Sequence, residues 1–332
     1  MSSVAWQQFL TTQGARIDAQ HYAHFNPSTA ENRLFDLSAL GLIAVRGEDA
    51  QTFLQGQLTN DIKQTNTGAQ LTGYCTAKGR LLALFYAWQT EDTVTLQCPR
   101  AMVPDLVKRL RMFVLRSKVV IEDVSDQFVC MGLAGPALQS LTPGIPETVH
   151  GVSHNQQVTL IRLPKSGGLP RAQAILPVAI AETHWRQFAN LYTPSSTDAW
   201  DALEIQAGIP QVYPQTKEQF VPQMLNLDAL GGINFKKGCY TGQEIVARTH
   251  YLGKVKRRTL VAQLSASNST PQAGDTLLDA QQQEAGQLVR VAPDVKGGWS
   301  VLAECRLESK EAGVVTWQGQ ALTFVAPPYA LT

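Results

Sequence analysis

Cys239 is the residue with the most chemistry to offer, and its neighbours decide what it can do. It lies in the run NFKKGCYTGQEIVARTHYLGKVKRR, directly after Lys236, Lys237 and Gly238. Thr241 followed three residues later by Glu244 is a capping-box pattern, which predicts a helix beginning at Gly242. Unpaired helical N–H groups, the helix dipole and two ammonium groups all favour a thiolate over a thiol. Gly238 and Gly242 leave the backbone open to a ligand or to a left-handed turn. A lone cysteine in an apolar stretch is ordinarily core filler. The lysines, glycines and cap around Cys239 point instead to a reactive thiol, with Lys237 helping to keep it nucleophilic. Cys75, Cys98, Cys130 and Cys305 lie in strand-like apolar contexts and read as core. Downstream, Arg248, His250, Lys254, Lys256, Arg257 and Arg258 concentrate positive charge. Such a cluster is either a solvated helix face and turn or a surface for a polyglutamate tail or phosphate backbone.

The elements that must position this segment follow from periodicity and punctuation. The first ordered element expected is a strand at Leu40–Arg46, followed by a helical stretch in GEDAQTFLQGQLTND. LTGYCTAKGRLLALFYAW reads as a hairpin turning at Lys78–Gly79, with TVTLQC as its next strand. Met102 to Phe113 is an amphipathic helix with Pro104 in its first turn, and SKVVIED is again a strand. Residues from Gln127 to Tyr192 carry three strand signals and a helix at Ile180–Leu191. Thr193–Asp198 reads as a hinge-like loop, with Asp198 capping a helix that Gly208 and Pro210 end. Beyond Arg258 short strands alternate with turns, the spacing of a small antiparallel barrel or sandwich.

Bulk properties narrow the function classes. A chain of 332 residues suits two or three packed units, and 44% apolar with 17% charged residues is a globular composition. A formal net charge of +1 gives no global field toward nucleic acid or membrane. No apolar run approaches the ~20 residues that span a bilayer, and the N-terminus lacks a secretory pattern. The scattered cysteines form no C-x-x-C and no metal-binding spacing. A cytoplasmic protein that holds neither metal nor cluster is the expectation.

AGIPQVY (207–213), VPQMLNLDALGGINF (221–235) and above all KGCYTGQEIVAR (237–248) resemble the YgfZ branch of the folate-binding T-protein superfamily, whose signature is K-G-C-Y-T-G-Q-E. Weaker similarity runs through GEDAQTFLQGQLTND, the YCTAKGR turn, LRSKVVIED and the terminal β module. The resemblance implies an α+β fold, a three-domain cloverleaf around a central folate-binding hole, with a C-terminal antiparallel β-barrel. In those terms residues 1–125 with 195–250 form a discontinuous folate-binding domain, 126–194 a second domain and 251–332 the barrel. It implies folate, as tetrahydrofolate or a derivative, held by Trp200, Gln223, Asn226 and the motif residues Tyr240, Gln243, Glu244 and Arg248. A second family tryptophan falls on Leu40 here, which leaves an aliphatic side chain at that contact.

The departures are informative. The aminomethyltransferases of the superfamily carry a carboxylate on the strand after the glycine turn, where this chain has Arg80, Leu81, Leu82 and Ala83. The family's P-x-E pattern, whose carboxylate grips the pterin, reads Pro222-Gln223-Met224 here and supplies none, although the Gln223 amide can still bond the ring. Loss of a positioned acid or base costs a factor of ~10² to 10⁴. The resemblance therefore implies an accessory factor for iron–sulfur enzymes, including those that thiomethylate tRNA, rather than a catalyst of aminomethyl transfer. Two other readings stay open: a one-carbon transferase using Glu244 or Asp228, and an RNA-binding module acting through Lys254–Arg258. Near-neutral charge and the lack of an aromatic-rich RNA motif disfavour the last, so no stable nucleic-acid complex and no membrane association are expected.

Overall fold

The apolar run after Leu40 forms the strand Leu40–Arg46, buried from Gly41 through Val45. It is continuous rather than alternating because both of its faces are covered. The computed structural model describes residues 3–141, 144–155, 157–295 and 297–331. These form two compact units, one of Met1–Phe53, Lys63–Gln70 and Tyr86–Trp200, the other of Leu54–Ile62, Leu71–Phe85 and Asp201–Thr332.

In the first unit Leu40–Arg46 pairs antiparallel with Thr93–Pro99 on one side and Val120–Asp123 on the other. The amphipathic helix Val103–Arg111 turns Val103, Leu106, Val107 and Leu110 inward. A second, six-stranded sheet runs in the order Val152–Asn155, Val158–Ser166, Leu169–Pro177, Phe128–Ala134, Arg33–Asp36, Thr193–Ser195. Its last strand is parallel to its neighbour, so the expected hinge-like loop is a short sheet edge instead. Pro194, which donates no hydrogen bond, is tolerated there because the strand lies at an edge. Asp198 falls in the first turn of the helix Thr197–Gln206 rather than capping it, and its carboxylate sits 3.2 Å from His24 Nδ1. The first ordered element is the helix Ser3–Thr12, well before Leu40, which buries Trp6, Phe9 and Leu10. Trp6 and Trp185 meet edge to face at 5.6 Å in the core of this unit.

The second unit holds the predicted hairpin turn, closed by Gly79 N–H on the Thr76 carbonyl at 2.9 Å. Its C-terminal part is a nearly closed antiparallel barrel of seven strands. The order is Gln320–Ala321, Thr316–Trp317, Thr276–Leu278, Glu284–Pro293, Trp299–Arg306, Arg257–Leu264, Thr323–Phe324. The two outermost strands are separated in sequence by Leu322 alone. Leu264, Leu277, Leu288, Val301 and Trp317 fill its interior. Among the described residues no helix is long and apolar enough to cross a membrane. The architecture is α+β, as expected.

Candidate functional site

The motif loop is held from below by a short segment that precedes it by some 180 residues in sequence. Thr59 Oγ1 donates to the Gly232 carbonyl at 2.6 Å, Asn60 Nδ2 to the Gly231 carbonyl at 2.7 Å, and Asn234 N–H to the Thr59 carbonyl at 3.0 Å. Lys237 completes the clamp: its ammonium donates to the carbonyls of Leu58 at 2.6 Å and Asn60 at 2.8 Å. The same ammonium lies 5.2 Å from the centre of the Tyr240 ring. Burial lowers the Lys237 pKa to about 8, against a smaller opposing pull from Asp61. The sequence assigned this ammonium to the thiol at Cys239; the structure gives it to backbone carbonyls and an aromatic face.

The expected capping box does not form. The helix runs from Gln243 to Tyr251, and its N-cap is Gly242 in the left-handed region at φ 85°, with no side-chain cap. Thr241 instead donates its N–H to the Gly56 carbonyl. Only glycine fits at 242, because a Cβ there would stand 2.4 Å from the Thr76 carbonyl oxygen and 3.1 Å from Gly79 Cα. The turn at Gly79 and the turn at Gly242 thus pack backbone to backbone. Cys239 is separated from the cap by Tyr240 and Thr241, and the dipole of a helix fades within its first turn. Cys239 is exposed, whereas Cys75, Cys98, Cys130 and Cys305 are buried core, as expected. Burial pushes the thiols of Cys75, Cys130 and Cys305 up to about 12.

Behind the helix, Gln223 and Asn226 anchor the turn Pro222–Leu225. Gln223 Nε2 donates to the Val246 carbonyl at 2.7 Å, fixing the helix to the turn. Asn226, left-handed at φ 57°, donates from Nδ2 to the Thr259 carbonyl at 2.6 Å and to the Tyr329 hydroxyl at 3.2 Å. Both side chains are wholly buried, and Gln223 Oε1 and Asn226 Oδ1 are left without a partner, as is the Tyr240 hydroxyl. Unpaired buried acceptors are rare and each asks for an explanation. A pterin edge presents N–H donors, so the acceptor set of these two amides fits a folate.

Other expected contacts lie elsewhere. Trp200 is 2% exposed in the first unit, with Phe35 at 5.3 Å and the Arg171 guanidinium at 5.2 Å from its ring. A Cβ on Gly132 would meet its indole at 2.6 Å. This indole is packed among Phe35, Arg171 and Gly132 of its own unit. Leu40, half-buried, opens its strand opposite Pro99. Gln243 is half-buried, Glu244 and Arg248 are exposed on the helix. Asp228, a candidate acid or base, is held 2.6 Å from Arg258 with both side chains buried. Arg257 forms a forked pair with Glu304. Of the expected basic cluster, Arg258 is therefore an internal structural cation, and the half-buried Arg257 is committed to Glu304. Tyr329, which meets Asn226 from the chain's far end, carried no local sequence signal.

Comparisons with known proteins identify relatives of this chain and of its fold. The model of the GCVT N-terminal domain matches residues 11–148. The tRNA-modifying protein YgfZ of Colwellia psychrerythraea is 31% identical over 315 residues, covering 89% of this chain and 95% of that protein. That of Sodalis glossinidius is 30% identical over 280 residues, covering 83% and 81%. Among solved structures, aminomethyltransferase T of the glycine cleavage system from Bartonella henselae matches with a TM-score of 0.71 over 97% of this chain and 96% of that one. At 17% identity this is a likeness of fold.

Proposed function

The chain belongs to the YgfZ family, and from that membership we propose that it binds a folate and supports tRNA modification as an accessory factor. The observation that carries the folate reading is the pair of buried, unpartnered carbonyl oxygens on Gln223 and Asn226. Each amide uses its NH₂ to hold the chain and keeps an acceptor for a ligand's N–H groups. Gln223, Asn226 and the adjoining motif residues would hold the pterin; a folate bound there supplies a carrier of one-carbon units.

The accessory role is favoured over aminomethyl transfer by the chain's own residues. The strand after Gly79 brings no carboxylate. Asp228 is neutralised by Arg258 and is therefore a structural partner rather than a free base. Cys239 supplies the site's reactive group, since it is the exposed thiol of the five. The clients are iron–sulfur enzymes acting on tRNA, on the strength of the family resemblance.

Calorimetric titration with tetrahydrofolate tests the first part. Gln223→Met removes the unpaired acceptor at similar volume and is expected to weaken binding about tenfold, the scale of one buried hydrogen bond. Undiminished binding by a folded Gln223→Met variant would sink the assignment. For the second part, Cys239→Ser in cells is expected to lower iron–sulfur-dependent tRNA thiomethylation; full modification would remove the role of the thiol.

A further inference from the structure

Three rings gather at the C-terminal end of the helix Gln243–Tyr251. Phe235 lies nearly parallel to His250, with centroids 3.8 Å apart and planes 13° apart. Tyr251 stands edge-on to both, at 6.1 Å from Phe235 and 4.7 Å from His250. Mutual stacking holds the rings in place, yet they are not core: Tyr251 is 65% exposed and His250 is exposed beside it. The large rings of the hydrophobic cores, Trp6, Trp185 and Trp317, are by contrast wholly enclosed.

The charge adjoining these rings along the chain has one sign. Lys236 flanks Phe235, Arg248 lies in the last helical turn, and Lys254 and Lys256 follow the helix, all exposed. From Ile245 to Lys256 the chain contains no Asp or Glu. Arg248 and His250 complement the partial negative charge of a helix C-terminus. Lys254 and Lys256 lie beyond the helix and exceed that need. A preformed aromatic platform rimmed by cations is the composition that binds single-stranded nucleic acid, with rings stacking on bases and ammonium groups on phosphates. An apolar peptide would gain nothing from the unopposed lysines.

We propose that Tyr251, His250 and Phe235, with Lys236, Arg248 and Lys254, form a docking surface for an unpaired segment of RNA, the exposed loop or end of a tRNA. The inference deepens the reading of a tRNA-modification factor, from which the choice of RNA follows. It also departs from the expectation of no stable nucleic-acid complex, which rested on near-neutral charge and on the lack of an aromatic-rich RNA motif. The platform is assembled from a loop residue and a helix end fifteen positions apart, so no such motif exists to be read.

The test is fluorescence anisotropy of the full chain with a labelled unmodified tRNA transcript, and with a single-stranded and a duplex RNA of equal length. Binding is expected for the tRNA and the single strand, with Tyr251→Ala weakening it roughly five- to hundredfold and Tyr251→Phe restoring it. Lys254→Ala should weaken all sequences alike and lower the salt slope by about one. Equal affinity of Tyr251→Ala and the unaltered chain, or preference for the duplex, overturns the platform. So does failure of the unaltered chain to bind RNA at low salt. In that event tRNA modification measured in cells lacking the chain separates the two ideas: lost modification leaves the accessory role standing without this surface.

Discussion

Lys237 and Cys239 are two residues apart in one motif and meet opposite environments. The lysine is drawn in by two carbonyls and an aromatic ring, while the cysteine faces solvent. A thiol-specific reagent such as Ellman's reagent is therefore expected to label Cys239 quickly in the native chain, and the four buried thiols only on unfolding. Rapid native reaction at more than one site would contradict this division. That one cysteine differs from the other four was legible in sequence, because glycines and lysines surround it and apolar residues surround the rest. The destination of the lysine was not. Its partners are main-chain carbonyls of residues 58 and 60, and a backbone acceptor leaves no mark on side-chain identity. The enclosure of Trp200 was hidden for a similar reason: the covering groups, Arg171 and Phe35, come from strands distant in sequence.

At the scale of elements, local patterns carried further. The strand Leu40–Arg46, the glycine hairpin, the amphipathic helix and the terminal β module follow from apolar runs and turn residues that act over short distances. The three-residue edge strand Thr193–Ser195 and the helix Ser3–Thr12 were missed because their stability comes from tertiary pairing and packing, which short segments do not advertise. The helix start was misplaced by one residue because the contact of Gly242 with the hairpin turn overrides the capping box. Gly242→Ala is expected to cost at least about 2 kcal/mol, since left-handed strain adds to a collision with the Thr76 carbonyl. Gly168→Ala, equally left-handed but with open space around it, should cost about 1 kcal/mol from strain alone. Denaturant midpoints for the two variants separate strain from collision; equal losses would show that the packing of the two turns contributes nothing.

For the molecule as a whole, buried charge sets how stability answers to pH and to mutation. Asp36 is fully enclosed, accepting from Trp6 Nε1 and Ser38 Oγ at 2.8 Å each, and burial raises its pKa to about 6. Between pH ~4 and 6 the folded chain keeps a proton that the unfolded chain releases, so this group's contribution to stability falls as pH rises through that window. Lys237 acts with the opposite sign at the alkaline end: its pKa of about 8 lies below that of a free lysine. Stability rises from this group between pH 8 and ~10.5, as the unfolded chain holds the extra proton. Asp36→Asn should flatten the acid-side change and Lys237→Gln the alkaline one, as read from urea midpoints across pH. Arg290 is buried with Asp201 and Glu204. Arg290→Leu is expected to cost about 3–5 kcal/mol by leaving those carboxylates without their buried cation; a loss under 1 kcal/mol in thermal unfolding would refute that estimate.

The seven-stranded barrel ends on a consequence for trimming and tagging. Gln320–Ala321 and Thr323–Phe324 form opposite margins of one sheet, so a single cut before residue 320 unzips both at once. Two rows of bare backbone donors and acceptors then meet the solvent together, each a template for a neighbouring copy. Chains shortened there should precipitate or pair edge to edge, while extensions added beyond residue 331 leave both margins in place.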